Sequence, residues 1–396
     1  MGSPPRAESS PEHKLVTSGL KALGCYEGTG HRHHVTTWKH TKHPHEEASH
    51  ATTSYAATDI DAAFLRGADG RFPVCKSEMR ILVTGAAGFI GSTTAELLIT
   101  QGHDVVALDD LRSGRRANVP IAATFVEGDC GDVGLVRSLG TFDACVHFAA
   151  RIEPSESMKY PETFFANNAG SSFRLLETLI KTGLERFVFS SSCAVYGDQV
   201  VMPIDEDRPT APHSPYGQSK LMVEEALRWM VSLGRLRAAS LRYFNAAGGT
   251  MVHPERHDPE IHLIPIALDA ALGKRVRLDV FGDDYPTRDG TCVRDYVHVS
   301  DLAQAHALAI IALEQHPGLT LNLGTGVGSS NREVVNTIKR VTGVDFEVRY
   351  VERRPGDPAA AVAGNGRARE VLGWRPERSD LESIITDAWA AHLSLT

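Results

Sequence analysis

From residue 79 onward, short apolar and β-branched runs alternate with longer stretches of helical spacing. The runs fall at 80–84, 105–108, 124–126, 144–148, 187–190 and 239–242, with later ones at 319–323 and 346–351. Between them, segments such as 92–100 and 173–181 place apolar residues three and four apart, as one buried helical face requires. Near-continuous apolar strands separated by helices predict a parallel sheet covered on both faces. The expected fold class is therefore α/β, a doubly wound parallel sheet with a smaller C-terminal domain. No internal repeat of 20–50 residues interrupts this pattern.

Residues 1–78 read differently. They are rich in Ser, Thr, Pro and Gly, hold eight of the 18 His, and show no sustained hydrophobic period. Nine Lys and Arg balance nine Asp and Glu there, so the formal net charge of −8 belongs to the remainder. Such a composition cannot offset its ordering entropy, which predicts a disordered His-rich extension or upstream sequence ahead of a start at Met79. His31, His33, His34, His40, His43 and His45 have no spacing of a defined metal site, and five Glu among the first 47 residues weaken a transit peptide.

Over the whole chain of 396 residues, 42% hydrophobic and 23% charged, the composition is that of a globular protein. The acidic balance argues against nucleic acid as a partner, which needs clustered cations. Six scattered Cys without a C-x-x-C pair match neither a disulfide framework nor a zinc site, and no metal is expected. No apolar run approaches 18 residues and no signal-peptide core opens the chain, so a cytoplasmic protein without membrane contact is expected.

The candidate chemistry begins where the first strand runs into Gly85-Ala86-Ala87-Gly88-Phe89-Ile90-Gly91, with a helix expected from Ser92. Glycine is needed where the chain turns tightly, where backbone approaches a pyrophosphate, and where helix packs on strand. The following helix N-terminus offers unpaired N–H groups to phosphate. Asp109 ends the second strand, 18 residues past Gly91, where a carboxylate binds ribose hydroxyls and repels a 2′-phosphate. This Rossmann arrangement favours NAD over NADP, although Arg112, Arg115 and Arg116 lie close by. A second cluster, Gly324-Thr325-Gly326-Val327-Gly328, is read as a structural or substrate-domain turn and not as a second dinucleotide site. The strand after it carries Arg349 where a ribose-binding acid would stand.

Ser190-Ser191-Ser192 closes the fifth strand at the edge where ligands bind such sheets. Tyr216 and Lys220, in Ser-Pro-Tyr-Gly-Gln-Ser-Lys, share one helical face at i and i+4. A tyrosine acts as a base near neutrality only if its phenolate is stabilised. Lowering it by about three units needs about 4 kcal/mol, from a neighbouring Lys cation and a positive cofactor ring. Ser192 is placed to hydrogen-bond the reacting oxygen. Ser192, Tyr216 and Lys220 are the candidate catalytic residues.

Tyr-x-x-x-Lys with an upstream Ser and a first-strand G-x-x-G-x-x-G resembles the extended short-chain dehydrogenase/reductases, and within them the UDP-glucose 4-epimerases. The resemblance runs from Met79 to about Leu393. It is most specific at Val280-Phe281-Gly282-Asp283-Asp284-Tyr285-Pro286-Thr287, through Cys292-Val293-Arg294-Asp295-Tyr296-Val297-His298, and at Leu241-Arg242-Tyr243-Phe244-Asn245 and Leu372-Gly373-Trp374. It implies a reversible C4 epimerisation of a UDP-hexose. Tyr216 takes the 4-hydroxyl proton, tightly held NAD takes hydride, and the 4-keto sugar turns before hydride returns to its other face.

The resemblance implies NAD contacts from Gly85, Gly88, Phe89, Ile90, Gly91, Asp109, Asp129, Cys130, Phe148, Ala149, Asn167, Tyr216 and Lys220. It implies UDP-sugar contacts from Ser192, Tyr216, Asn245, Phe281, Arg294, Arg354, Asp357 and Ala361, with the two arginines suited to a diphosphate. An NAD-binding domain is expected over 79–245 and about 297–325, and a UDP-sugar-binding domain over about 246–296 and 326–396. A homodimer through the Tyr216 helix and its neighbour near Phe173 is also implied.

Two positions depart from the family. Ile152 stands where some members carry a cofactor-contacting Lys, and Ala361 occupies a gate that is bulky in members restricted to glucose and galactose. Removing that bulk permits an acetamido group. The rival readings are a UDP-pentose 4-epimerase, a 4,6-dehydratase and a non-catalytic nucleotide-binding protein. A dehydratase needs an acid beside the catalytic Ser, where this chain has Cys193 and Ala194; a dead protein has no need of Ser192, Tyr216 and Lys220 together.

Overall fold

Successive residues of strand β1 (Arg80–Thr84) point to opposite sides of the sheet. Ile81 and Val83 enter one apolar core, and Leu82 enters the other. The same alternation runs through β2 (Asp104–Asp109), where Val105 and Ala107 oppose Val106 and Leu108, and through β4 (Ala144–His147), where Ala144 and Val146 oppose Cys145. This is why these strands read as unbroken apolar runs: both faces are buried.

The computed structural model describes residues 78–354 and 356–395. The readings made for the first 77 residues lie outside the described residues. With β3 (Thr124–Glu127), β5 (Arg186–Ser192), β6 (Arg237–Tyr243) and β7 (Gly318–Leu323), the strands form a parallel sheet in the order β7-β6-β5-β4-β1-β2-β3. The main helices are α1 (Phe89–Thr100), α2 (Ser172–Lys181), α3 (Pro215–Ser232), α4 (Leu263–Ala271), α5 (Val299–Ala312), α6 (Asn331–Thr342) and α7 (Leu381–Leu393). Leu97 and Leu98 of α1 join Leu302, Ala305 and Ile310 of α5 on one face. Leu175, Leu176 and Leu179 of α2 join Val223 and Leu227 of α3 on the other. The fold is doubly wound α/β, as the alternation of runs predicted.

A third apolar core lies outside the sheet. Ile264 and Leu268 of α4, Val334 and Ile338 of α6, and Ile384 and Ile385 of α7 gather around Leu278 and Val280. The strand Leu278–Phe281 pairs in parallel with Val348–Val351. Among the described residues, no helix is long and apolar enough to cross a membrane.

One boundary differs in a way that matters. Helix α1 begins at Phe89 with Gly88 as its N-cap, three residues before the expected start. A Cβ at Gly91 would lie 2.1 Å from the Gly85 carbonyl oxygen, so only glycine lets the first helical turn seat on the strand end. The glycine motif thus contains the helix start.

Candidate active site

Strand β1 pairs with both β2 and β4, so the winding reverses there, and the crevice outside the carboxyl ends is where such sheets bind ligands. A cavity of about 950 Å³ opens at that place. Every site residue anticipated from the sequence lines it except Lys220, which lies beneath its wall.

At one end is the glycine turn. Gly85 has φ +69°, and a Cβ there would sit 2.6 Å from the Ala149 amide nitrogen, so the turn after β1 packs directly on the turn after β4. No side chain caps α1, and its first turn holds no acid, leaving the N–H groups of that turn to a ligand. Asp109 is buried. Its Oδ2 accepts from the Ala87 amide at 2.9 Å and its Oδ1 from the Leu111 amide at 2.8 Å. Burial raises its carboxyl above the ordinary range, and those two N–H groups oppose the shift. Each oxygen keeps a second lone pair for a ribose hydroxyl. The turn beyond it is strained: Leu111 has φ 55° without being glycine. Of the nearby arginines, Arg116 stacks on Phe125, 4.3 Å from the ring centroid, while Arg112 pairs with Asp110 at 3.2 Å and lines the cavity.

Asn167 reaches the wall from a π-helical turn, Phe165–Ser171, between a short helix and α2. Such turns recur at functional sites because they re-aim side chains. Its neighbour Asn168 fixes the opposite loop, accepting from the Arg151 amide at 2.8 Å and donating to the Arg151 carbonyl at 3.0 Å. Ile152 lines the cavity and is half exposed.

Ser192 ends β5 and Tyr216 sits in the first turn of α3, whose N-cap Ser214 accepts from the Gly217 amide. Burial, seconded by Tyr243, pushes the Tyr216 hydroxyl well above its ordinary value, with Ser192 pulling the other way. The sequence argument asks the Lys220 cation and a positive nicotinamide together to bring this phenol down, and burial opposes them. Lys220 donates from Nζ to the Ser190 carbonyl at 2.7 Å and lies 5.0 Å from the Phe189 ring centroid. Its burial brings the ammonium down to about 7, against the pull of Glu224.

The other end of the cavity is cationic. Arg294 donates to Asp357 at 3.0 Å and Arg354 stacks on Phe281, 3.9 Å from the ring centroid. Both arginines line the cavity with Asn245. Ala361, in the short strand Ala360–Ala361, is the register partner of Arg294. Ala361 also lines the cavity.

Sequence reasoning missed the supports beneath these groups. Glu224 and Arg242 form a buried ion pair at 2.9 Å (Arg242 Nε to Glu224 Oε1), with the Ser191 hydroxyl donating to the same carboxylate. The i+4 spacing of Glu224 from Lys220 was the available signal. His147, beneath the glycine turn, bridges Thr84 at 2.6 Å and Ser172 at 2.7 Å. Burial, then Lys220, lowers it to about 3, so it is neutral. Because Ser172 donates to the Asn168 carbonyl, it accepts from His147 Nε2–H, and Nδ1 accepts from Thr84.

The second glycine cluster is occupied by the protein itself. Asp295 accepts from the Thr325 amide at 2.8 Å, the Gly326 amide at 3.1 Å and the Ala363 amide at 3.1 Å. Helix α6 beyond it is closed by a reciprocal Ser330–Glu333 capping box.

A glycine turn into an uncapped helix, an acid ending the second strand and a buried Tyr–Lys helix at the switch point together define a dinucleotide-dependent class of enzyme. Residues 81–324 match the NAD dependent epimerase/dehydratase family. A UDP-glucose 4-epimerase of Streptomyces lividans is 46% identical over 319 residues, covering 80% of this chain and 96% of that protein. The solved UDP-glucose 4-epimerase from Stenotrophomonas maltophila, with bound NAD and formylated UDP-arabinopyranose, aligns with a TM-score of 0.78 at 39% identity. That alignment covers 80% of this chain and 99% of the other. The one from Brucella ovis, in complex with NAD, gives 0.76 at 44% identity over 79% and 98%. The chain belongs to the NAD dependent epimerase/dehydratase family.

Proposed function

We propose that this chain interconverts UDP-hexoses at C4, with NAD held across the glycine turn. The observation that carries the reading is one cavity with an uncapped helix start and Asp109 at one end, Arg294 and Arg354 at the other, and Tyr216 and Ser192 between. NAD fits this chain on its own geometry. The space a Cβ would take at Gly85 and Gly91 is already filled by backbone, which brings the turn close to a pyrophosphate, and both Asp109 oxygens are aimed by backbone amides. When bound, NAD⁺ supplies a reversible hydride acceptor and a positive nicotinamide ring.

The chain's own residues do the rest. Tyr216, a neutral phenol whose burial makes ionisation harder still, needs a cation brought against it before it can take the C4 hydroxyl proton at its phenol oxygen. Ser192 donates to the same sugar oxygen. Lys220, near its midpoint at neutral pH, takes up or gives up charge as the phenol titrates. Arg294 and Arg354 hold the diphosphate, and Asn245 and Phe281 flank the nucleotide. The NAD-binding domain is 79–245 with about 297–325, and the UDP-sugar domain about 246–296 with 326–396; the separate third core supports that division. Ala361 leaves space for N-acetylhexosamines as well. A cytoplasmic site is supported by four free cysteines among the described residues, and a homodimer by the exposed Trp229 on α3.

The test is epimerisation of UDP-galactose and UDP-N-acetylgalactosamine in parallel, with and without added NAD⁺. The gluco epimers should form from both without net NADH. Failure with both substrates while NAD is bound would sink the hexose reading and point to a UDP-pentose or to dehydration.

A further inference from the structure

The segment leading into α4 carries a side-chain cluster that the proposed reaction does not use. Glu255, His257, Glu260 and His262 bring four ligand atoms within 4.8 Å of one another. His262 Nδ1 lies 2.9 Å from Glu260 Oε1 and 3.3 Å from Glu255 Oε1. His257 Nδ1 lies 3.6 Å from Glu260 Oε2 and 3.8 Å from Glu255 Oε1. With metal–ligand bonds of about 2.0–2.1 Å, the ligand atoms of a tetrahedral zinc site stand about 3.3 Å apart; the distances here, which involve both oxygens of Glu260, run from 2.9 to 3.8 Å.

Two further observations separate this cluster from an ordinary set of surface charges. The Glu255 residue is 8% exposed, and its carboxylate makes no hydrogen bond among the described residues. The Nδ1 atom of His257 is itself buried and has no hydrogen-bond partner there. A buried carboxylate and a buried imidazole nitrogen, both without hydrogen bonds and turned toward each other, are what a missing shared partner leaves.

We propose that these four residues form a structural site for a divalent cation of zinc chemistry. Two imidazole nitrogens and two carboxylate oxygens suit borderline Zn²⁺, and the two negative charges neutralise it. Four protein ligands fill a tetrahedral shell, so the ion clamps the chain and activates no water. What it clamps is one wall of the cavity: Glu255, His257 and His262 line it, and His262 is the N-cap of α4, which has no side-chain cap. The His262 side chain, 37% exposed, gives the ion a way in. The metal assignment does not rest on the reaction proposed above, although three of its residues line the same cavity.

The experiment uses the full chain, stripped by a chelator and titrated with Zn²⁺ alone. It compares the wild type with Glu255→Gln, with His257→Gln, and with a variant carrying Gln at His31, His33, His34, His40, His43 and His45. The wild type and the tail variant should each keep one tight ion that raises the melting temperature. In Glu255→Gln and His257→Gln the affinity for that ion should fall by more than about 100-fold. Co²⁺ bound to the wild type and the tail variant should show the intense visible bands of four-coordination, a readout that does not depend on either site variant folding. Loss of the tight ion in the tail variant, unchanged stoichiometry in both site variants, or only weak six-coordinate cobalt bands would each overturn the assignment.

Discussion

The two glycine clusters of this chain follow parallel strands and lead toward helices, yet only the first lines the cavity at the strand ends. In the first, residues 85–91, the backbone closes on itself and on the turn after β4, and α1 starts without a cap. In the second, residues 324–328, Asp295 accepts the amides of Thr325, Gly326 and Ala363, and the Ser330–Glu333 box closes α6. Orphan donors at a helix start must find acceptors. Where the protein supplies them, glycine is structural; where it withholds them, an anion is invited. The lesson is that a glycine pattern is read by what satisfies its N–H groups.

The largest effect should come from removing the chemistry at the open end. Tyr216→Phe should lower the epimerisation rate by about 10²–10⁴-fold while NAD remains bound, measured by product chromatography beside cofactor fluorescence. A rate within a fewfold of wild type would take Tyr216 out of proton transfer.

Next, the clusters can be set against each other by adding one methyl. Gly91→Ala places a Cβ 2.1 Å from the Gly85 carbonyl, so the turn must open, and NAD affinity should fall by about 10- to 100-fold. Gly326→Ala meets nothing nearer than 3.7 Å; with φ +80° it should cost about 1 kcal/mol of stability and leave NAD affinity alone. Equal losses of affinity in both would erase the distinction.

Asp295→Asn replaces the acceptor that fills the second turn with a group that turns N–H against N–H. Denaturant unfolding should show a loss of about 2 kcal/mol with NAD affinity retained. A weakened cofactor with unchanged stability would mean the second cluster binds ligand after all.

Acid sensitivity beneath the first turn is spread over a wide pH window and is the most gradual of these effects. His147 is held neutral at about 3, below its unfolded value of about 6.5. Its contribution is present in full above 6.5 and is lost as pH falls through 6.5 toward 3, by at most about 1.4 kcal/mol per pH unit. In His147→Asn the stability curve should be shallower over that window. An identical slope would remove His147 from the acid response.

Much of this was legible in the chain. The strands buried on both faces announced themselves as apolar runs because a parallel sheet leaves them no polar side. The glycine spacing, Asp109 and the Tyr216–Lys220 pair were legible because each depends on near neighbours along one turn or helix. The start of α1 was misplaced by three residues, since close packing of Gly91 on Gly85 made the motif itself helical. The burial that opposes a low Tyr216 phenol was not legible: a Lys four residues away is visible in sequence, and desolvation is not.

By itself the sequence determined the sheet, its winding and the open glycine turn, because local spacing and two-faced burial dictate them. Only the tertiary structure decided that the Asp295 carboxylate fills the second turn, that Glu224 on the catalytic helix meets Arg242, and that Glu255 is buried against the imidazoles of its own segment. Those outcomes depend on which buried polar groups face one another, and desolvation acts on that distance in space, which residue spacing does not encode.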